Sequence, residues 1–397
     1  MSVAQPGDTG AMNTDKYLSG IEVGTAAELT SLLCHSAFPV GPTFLESLDE
    51  LILEGRGHPG GSTLMRGDLI ELVGSSGSGK TTFLTNLIFT TILPTSLPDL
   101  LSTPLDGRGL HVTLIQPVTH RSIIPHLKRA IRQHIKDISP TTPVAMVDRV
   151  IDESLSRLTV YRPKPRWKDY ALCLKRVLDN ATEAPRGIPN DSSSSRDGKR
   201  EGEGLDLLVI DGMGDPHYPT RWAEEQKGYK YYDGMYKDKA RILGMEEIGV
   251  KQVMECVGRV RKMLGGVVVM STQGLRPHKD SSSLFHTHLP PPYPSSSSSS
   301  PNMVNLNTKL SDLNPTYWPV NIQITFTGLL RNLQYPMEST LVETLQSKYR
   351  RQRDRAEQTK VYEGTVKMGQ TSQGSVSTIA GGRFRFGIDS EGLLVQI

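Results

Sequence analysis

A glycine-rich string at residues 74–81, GSSGSGKT, constrains the fold of this chain more than any other feature. It fits the pattern G-x-x-x-x-G-K-[ST], in which backbone N–H groups of the loop turn toward phosphate oxygens. The apolar run LIELV before it predicts a buried strand, and TFLTNLI after it predicts a helix whose positive N-terminal end faces the same anion. Lys80 would reach the β- and γ-phosphates, and the Thr81 hydroxyl would ligate Mg²⁺. The sequence therefore predicts a nucleoside triphosphate site; a glycine-rich surface loop is the alternative.

The composition of the 397-residue chain indicates a soluble protein with one elaborated domain. Apolar residues make up 37% of it, and no apolar run approaches the length of a membrane span, so we expect no membrane contact. Residues 1–17 lack the apolar stretch of a cleavable signal peptide. Cys34, Cys173 and Cys256 are too widely spaced for a C-x-x-C metal site and too few for a disulfide framework, which indicates a reducing compartment. A net charge of +3 says little about partners, so nucleic-acid binding has to be argued from local clusters of basic residues.

Strand-like and helix-like runs alternate along most of the chain. Four apolar runs have the character of buried strands: 112–115, 158–161, 205–211 and 267–270. Helical stretches lie between them, around 127–135, 170–178 and 253–264. This βαβ rhythm predicts an α/β fold with a mostly parallel central sheet, helices on both faces and the nucleotide at the carboxyl ends of the strands. The C-terminal runs alternate with turns and predict antiparallel edge strands, at 322–326, 383–386 and 393–395.

Two low-complexity stretches interrupt this pattern. The first, at 183–204, contains four consecutive serines, and the second, at 281–302, contains three prolines followed by a serine run. Such composition predicts mobile insertions. We therefore expect an N-terminal segment over 1–60 that is partly disordered, followed by one core over 61–397 that carries both insertions.

A phosphate loop needs a carboxylate near the Mg²⁺, normally at the end of a neighbouring apolar strand. Asp211 fits, because four apolar residues precede it and Gly212 and Gly214 free the backbone where the chain leaves the sheet. Asp206 is the rival, but it lies at the start of the same strand, remote from the phosphates. We predict Thr81 and Asp211 as the metal ligands; an ordinary turn aspartate is the alternative for Asp211.

Three segments resemble the RecA-type recombinases in order and spacing. They are GDLIELVG at 67–74, LLVID at 207–211 and VVVMSTQ at 267–273. A transporter-type ATPase is a poorer match, since its signature follows the phosphate loop whereas the similar LSG at 18–20 precedes it. Within the superfamily the chain is most similar to a branch of eukaryotic recombinase paralogues. That branch also has Gly-Asp before the first strand, Ile-Leu-Pro after the loop helix, here at 92–94, and a closing Thr-Gln.

The resemblance implies a RecA-like P-loop ATPase core that binds ATP with Mg²⁺. In that family the glutamine that ends the last of the three strands, here Gln273, lies near the γ-phosphate. The nucleotide ligands implied are Gly74, Ser75, Ser76, Gly77, Ser78, Gly79, Lys80, Thr81, Thr82 and Gln273. The resemblance also implies a nuclear protein of homologous-recombination repair of DNA double-strand breaks, which assembles with other recombinase paralogues and supports the strand-exchange recombinase.

The chain departs from active recombinases in the segment IQPVTH at 115–120. By register, Val118 takes the position of the glutamate that polarises the attacking water in that family. An apolar side chain cannot take up the proton, a role worth roughly 10²- to 10⁴-fold in rate. His120 is either a substitute base or a capping or surface residue. We assign no catalytic residue and expect ATP binding with weak or no hydrolysis; an active DNA-stimulated ATPase or a small-molecule P-loop kinase is the alternative.

Aromatic and basic residues interleave after Asp211, in PHYPTRW at 216–222 and KGYKYY at 227–232. This pattern suits base stacking and phosphate contact on single strands, and it stands where the family has its first DNA loop. A partner-docking or packed loop is the alternative. The second DNA loop would span 274–313, where basic residues are few, so we expect modest affinity for single-stranded or branched DNA. The basic cluster at 348–355 is either a solvated helix face or a nuclear import signal or phosphate contact.

Overall fold

The structure is a computed structural model. It describes residues 40–56, 62–97, 100–183, 205–230, 248–274, 289, 320–328, 340–343, 346, 360–368, 381–389 and 393–396. Its strands, in chain order, are β1 Leu69–Gly74, β2 Ser96–Leu97, β3 Leu100–Pro104, β4 Val112–Ile115, β5 Leu158–Tyr161, β6 Leu207–Ile210, β7 Val267–Gln273, β8 Ile322–Gly328, β9 Lys360–Met368, β10 Gly381–Ile388 and β11 Leu394–Gln396. Its helices are α1 Glu46–Arg56, α2 Lys80–Ile92, α3 Ile124–Ile138, α4 Val144–Ser156, α5 Trp167–Glu183, α6 His217–Lys230 and α7 Val250–Leu264.

One large sheet dominates the described part of the chain. Nine of the described strands belong to it, in the order β11-β10-β9-β8-β1-β7-β6-β4-β5. The strands from β5 across to β8 run parallel to one another. Antiparallel pairing begins between β8 and β9 and continues to β11. The fold is therefore a mixed α/β fold with a mostly parallel sheet, as the alternating pattern predicted.

Two apolar clusters lie on opposite faces of this sheet. On β1, Ile70 and Leu72 belong to one cluster and Leu69 to the other, because successive side chains of a strand point to opposite faces. The first cluster contains apolar residues of α1, α2, α3 and α4, and the second contains those of α5 and α7. Helices on both faces explain why the inner strands are almost continuously apolar. The prediction of helices on both faces is confirmed.

The C-terminal strands differ in part from the sequence prediction. The run at 322–326 was expected to be an antiparallel edge strand, but β8 lies inside the sheet and pairs in parallel with β1. Only its other side is antiparallel, where it meets β9. Periodicity within a strand does not report its direction, so the pattern was compatible with both arrangements. The edge prediction is wrong for β8, whereas β10 and β11, which correspond to the runs at 383–386 and 393–395, pair antiparallel as expected. The sequence analysis did not predict β9.

The N-terminal region contributes to the main core within its described residues. Leu48 and Ile52 of α1 are fully buried in the same cluster as α2. Leu51 of α1 lies so close to β10 that a Cβ on Gly382 would meet it at 2.0 Å. Residues 1–39 lie outside the described residues, as do the two low-complexity stretches except at Glu183 and Leu289. The domain boundary at 60/61 stays a prediction.

Candidate nucleotide-binding site

The phosphate-loop residues 74–81 connect the end of β1 to the start of α2. Gly77 and Gly79 have φ angles of 74° and 93°, which residues with a Cβ adopt only with strain. A Cβ on Gly74 would lie 2.6 Å from Ser78 Oγ. The loop conformation therefore requires glycine at all three positions, and the motif glycines are explained by backbone geometry and close packing.

Helix α2 has an N-terminus suited to an anion. It begins at Lys80, has no side-chain cap at Gly79 and carries no acidic residue in its first turn. An uncapped helix N-terminus presents N–H groups and a positive potential to whatever lies in front of it. Thr81 is exposed and Thr82 half-buried at this end of the helix. Both residues lie in the first turn of α2, and their assignment as nucleotide ligands stays a prediction.

The Lys80 ammonium folds over the loop. Its Nζ donates to the carbonyl oxygens of Gly74 at 2.6 Å and Ser75 at 2.9 Å. Burial lowers the pKa of Lys80 to about 8, while the charges of Asp211 and Asp215 act in the opposite direction. A phosphate group in the loop would add negative charge and favour the ammonium form. Lys80 therefore hydrogen-bonds to the loop, and the charges of the two carboxylates favour its ammonium form.

Asp211 follows β6 at the carboxyl edge of the sheet and is 3% exposed. Its carboxylate accepts hydrogen bonds from Ser271 Oγ at 3.0 Å and Gln116 Nε2 at 3.1 Å. Burial acts to raise the pKa of Asp211, but hydrogen bonding and positive charge from His120, together with the bonds from Gln116 and Ser271, hold it below its ordinary value. The rival Asp206 is paired with Arg66 at the opposite end of the strand. The choice of Asp211 over Asp206 agrees with this placement.

The chain turns sharply after Asp211. Gly212 has a φ of 85°, its N–H donates to Ser271 Oγ at 2.8 Å, and its carbonyl accepts from Tyr170 Oη at 3.0 Å. Tyr170 is fully buried, and burial raises the pKa of its phenol well above the ordinary value. The turn brings a second carboxylate, that of Asp215, back toward the first.

His120 lies between these two carboxylates. Nδ1 is 3.1 Å from Asp211 Oδ2, and Nε2 is 2.8 Å from Asp215 Oδ2. Hydrogen bonds with Asp211 and then Asp215 raise the pKa of His120 to about 10. An imidazolium whose two N–H groups both donate has no lone pair with which to accept a proton. This arrangement fits neither the substitute-base interpretation of His120 nor the capping one.

Two further residues hold this segment, and the sequence analysis did not identify them. Arg162, just after β5, donates to Gln116 Oε1 at 3.0 Å and to the carbonyl oxygen of His120 at 2.6 Å. Gln116 is buried and links Arg162 to Asp211. The signal that could have found Gln116 was its place one residue after a strand that pairs in parallel with β6, since Ile115 lies opposite Ile210.

Gln273 ends β7 directly beside the phosphate loop. It is paired with Gly74 in the strand register, and the next residue, Gly274, donates its N–H to the Gly74 carbonyl at 2.9 Å. The Gln273 side chain is exposed although the six preceding residues of β7 are buried. The structure therefore brings Gln273 to the loop, at the entrance of the predicted site.

A buried carboxylate fixes β7 against its neighbours at this end. Glu71 of β1 accepts from Thr272 Oγ1 at 2.9 Å and from Gln323 Nε2 at 3.0 Å. Glu71 is 1% exposed, and a buried charge is stable only with such partners. Through these hydrogen bonds Glu71 links β7 to β8 across β1. Its partner Thr272 is one residue before Gln273, the last residue of β7.

Val118 is 49% exposed and lies in the turn after β4. Its N–H donates to the carbonyl oxygen of Pro163 at 2.9 Å, and its carbonyl accepts from Arg162 at 3.3 Å. Backbone contacts thus fix the position of residue 118, while its side chain offers no proton acceptor. The carboxylates that act on the pKa of Lys80 are Asp211 and Asp215, and both are bound by His120.

The segment predicted as a DNA loop is partly helical. Residues 217–230 form α6, with Tyr218 and Trp222 exposed one turn apart. Prolines at the start of a helix are tolerated within its first turn, so the PHYPT composition did not exclude one. Residues 231–247 lie outside the described residues, as do nearly all of 274–313 and the basic cluster at 348–355.

The predicted metal site offers few protein ligands among the described residues. Among the described residues, no group of three or more His, Cys, Asp or Glu side chains has the arrangement of a metal site. Mg²⁺ in nucleotide sites is held by one or two side chains plus phosphates and water rather than by an all-protein cage. Thr81 at the loop and Asp211 after β6 are the pair that the sequence analysis predicted for this role.

None of the described helices is long and apolar enough to cross a membrane. A scan against protein-family models matched none of them, and a search of curated proteins returned no significant match.

Proposed function

We propose that the protein binds ATP with Mg²⁺ at the phosphate loop and hydrolyses it weakly or not at all. The observation that carries this proposal is the meeting of three parts: the glycine loop, the Lys80 ammonium over it, and the Asp211 carboxylate whose charge acts on Lys80. The metal would neutralise phosphate charge and orient the phosphates, with Thr81 and Asp211 as the side chains that hold it. The weak-hydrolysis part rests on Val118, which offers no carboxylate to a water.

We further propose that the chain is a member of the RecA superfamily. The three segments that carry the resemblance, at 67–74, 207–211 and 267–273, lie on β1, β6 and β7, which are adjacent in the sheet. Residues that a common nucleotide would touch must converge in this way, so the adjacency supports the proposal. The order of the segments along the chain supports it as well.

The cellular role proposed here comes from that resemblance. From the segments at 67–74, 207–211 and 267–273 we propose that the chain resembles X-ray repair cross-complementing protein two, a eukaryotic recombinase paralogue, and acts in homologous-recombination repair of DNA double-strand breaks in the nucleus. It would act with other paralogues to support the strand-exchange recombinase on DNA. Co-purification from nuclear extract, with identification of the bound chains, tests the assembly. Wild-type survival of deletion cells after crosslinking agents or ionising radiation would refute the repair role.

Nucleotide binding is tested by equilibrium titration with a fluorescent ATP analogue. We expect Lys80→Ala to weaken binding by about 10- to 150-fold, since a charge-assisted contact contributes about 1.5 to 3 kcal/mol. Lys128→Ala, an exposed lysine on α3, is the matched control and should bind as the wild type does. Equal affinity of all three proteins would refute the assignment of Lys80.

Phosphate release at saturating ATP separates the binding protein from the enzyme. We expect low turnover, little stimulation by single-stranded DNA, and a rise in Val118→Glu only if Pro117 lets the new carboxylate face the phosphates. A wild-type turnover of about 1 s⁻¹ or more that Lys80→Ala abolishes would favour the alternative, an active DNA-stimulated ATPase or a P-loop kinase.

A further inference from the structure

A run of basic side chains follows β5 at the carboxyl edge of the sheet. Residues 162–168 read RPKPRWK, and the basic side chains at 162, 164, 166 and 168 are all exposed. Pro163 and Trp167, which lie between them, are buried and anchor the segment. Proline at 163 and 165 fixes the backbone φ angle at two positions. The segment therefore presents its cations to solvent from a restricted backbone.

The loop after β4 lies beside this segment and adds another cation. Arg162 donates to the carbonyl oxygens of Val118 at 3.3 Å and His120 at 2.6 Å, so its guanidinium joins the two loops. Arg121, the residue after His120, is exposed. We call the four remaining exposed cations of the two loops the basic edge: Arg121, Lys164, Arg166 and Lys168.

The cations of the basic edge lack counter-charges. Within the described part of the chain, none of them forms an ion pair with a carboxylate, whereas other exposed arginines do, as Arg132 does with Asp148 at 3.2 Å. Lys168 also lies in the first turn of α5, where the helix dipole opposes a positive charge. Like charges held together in this way repel one another, and a polyanion would remove that repulsion.

Exposed aromatic side chains lie on the other side of the β4 loop. His120 Nε2 is 2.8 Å from Asp215 Oδ2, and α6 begins two residues after Asp215. Tyr218 and Trp222 of α6 are exposed one turn apart. Cations that follow a phosphate backbone beside aromatic rings that stack on bases are the combination that binds single-stranded nucleic acid. An acidic protein surface would use the cations but not the rings.

We propose that the basic edge binds the phosphate backbone of single-stranded nucleic acid whose bases stack on Tyr218 and Trp222. The inference rests on the role on DNA proposed above and adds to it a phosphate contact after β5. The resemblance places the DNA loops after β6 and β7 instead, at 216–232 and 274–313. Each phosphate neutralised by a cation releases counterions, so the affinity must fall as the salt concentration rises.

The test is fluorescence anisotropy of a labelled oligothymidylate, without nucleotide, over a series of salt concentrations. Lys164→Ala combined with Arg166→Ala should lower the slope of log affinity against log salt by about 1.4, and the affinity at about 0.1 M salt by about 25-fold, since each lost contact with a single strand lowers the slope by about 0.7.

The matched control is Arg259→Ala combined with Lys262→Ala, which removes the same two kinds of charge. Both residues are exposed on α7, whose end lies at the amino edge of the sheet, where Arg261 donates to the Gly67 carbonyl. This variant should keep the wild-type slope. Both double variants should keep the wild-type Tm. If the first one unfolds, Lys168→Gln alone should lower the slope by about 0.7 and decides the question.

Three results would overturn the inference. The first is an unchanged salt slope in the variants of the basic edge; weaker binding by Trp222→Ala would then leave the DNA role itself intact. The second is displacement of the oligonucleotide by poly-L-glutamate as effectively as by unlabelled oligonucleotide at equal charge, which would assign the surface to an acidic protein. The third is a wild type that binds no oligothymidylate, and the titration with the fluorescent ATP analogue then decides nucleotide binding separately.

Discussion

At the scale of single residues, Gly212 decides where the second carboxylate of the site lies. Its φ of 85° is in the left-handed region, and a Cβ there would meet the Asp215 carboxylate at 2.8 Å. The close turn is what allows His120 to reach both acids. Gly212, one residue after the predicted metal ligand Asp211, therefore determines how close the Asp215 carboxylate lies to Asp211 and His120.

We predict that Gly212→Ala lowers the free energy of unfolding by about 1 to 3 kcal/mol, from backbone strain and the clash with Asp215. Urea unfolding measures it. Gly258→Ala is the matched control, because Gly258 lies within α7 with no neighbouring atom within 4 Å of an added Cβ. That change should raise stability by about 0.5 to 1 kcal/mol through helix propensity. Equal effects of the two substitutions would contradict the geometry at Gly212.

The charge on His120 also predicts how stability changes with pH. The pKa of His120 rises from its ordinary value of 6.5 to about 10 in the folded protein. Between these values the folded state holds more protons than the unfolded state, so stability falls as pH rises. The stabilisation is fully present below about pH 6.5 and is lost as pH rises through about 10.

The measurement is the difference in unfolding free energy between wild type and His120→Gln across this range. The difference should be largest near pH 6 and should shrink toward pH 10. Lys80, whose pKa is lowered to about 8, acts in the opposite direction above that pH, but it is present in both proteins and its effect largely cancels. A difference that grows with pH would contradict the ion pairs of His120.

At the scale of secondary-structure elements, the site is built where three parallel strands end together. β1 leads into the phosphate loop, β7 ends in Gln273, and β6 is followed by Asp211. Glu71 ties the first two to β8 by side-chain hydrogen bonds. The side-chain hydrogen bonds of this buried carboxylate therefore hold β1, β7 and β8 together inside the sheet.

We predict that Gln323→Glu destabilises the fold by about 1 to 3 kcal/mol, because it places a second carboxylate opposite Glu71 in a buried site, and that Glu71→Gln costs about 1 kcal/mol, because it replaces a charge-assisted hydrogen bond by a neutral one. The double variant exchanges donor and acceptor and restores a complementary amide–carboxylate pair. Its cost should be smaller than the sum of the single costs by about 1 kcal/mol or more. Urea unfolding of the four proteins completes the cycle. Strict additivity would show that the Glu71–Gln323 hydrogen bond contributes nothing.

The elements explain which parts of the site could be predicted from the sequence. The loop, Asp211 and Gln273 each follow an apolar run whose end is visible in the residues alone. Gln116, Asp215 and Arg162 could not be placed in the same way, because their contacts depend on the pairing of β4 with β6 and on the turn at Gly212. His120 was visible as a candidate, but its partners lie 91 and 95 residues farther along the chain. Only the tertiary fold brings them together.

At the scale of the whole molecule, the C-terminal strands pack against the phosphate loop. A Cβ on Gly79 would lie 3.2 Å from the ring of Phe386, so the loop packs directly on β10. Phe386 is fully buried and contacts Phe326 with ring centroids 5.6 Å apart, while Tyr362 stacks on it at 5.4 Å. The C-terminal strands, which the sequence analysis expected at the edge of the sheet, therefore pack against the phosphate loop of the proposed nucleotide site.

Because β10 packs against the phosphate loop, we predict that the C-terminal strands and the loop unfold together. Phe386→Ala should lower the free energy of unfolding by about 3 to 5 kcal/mol, the usual cost of deleting a buried phenyl ring. It should also weaken binding of the fluorescent ATP analogue, because the surface against which Gly79 packs is lost. Trp222→Ala removes a larger ring that is 65% exposed and should change stability by no more than about 0.5 kcal/mol.

Urea unfolding followed by two signals, far-ultraviolet circular dichroism and the bound nucleotide analogue, should give a single coincident transition for the wild type. Two separate transitions, or a Phe386→Ala protein that keeps full nucleotide affinity, would show that the C-terminal strands form an independent unit and that the loop does not depend on them.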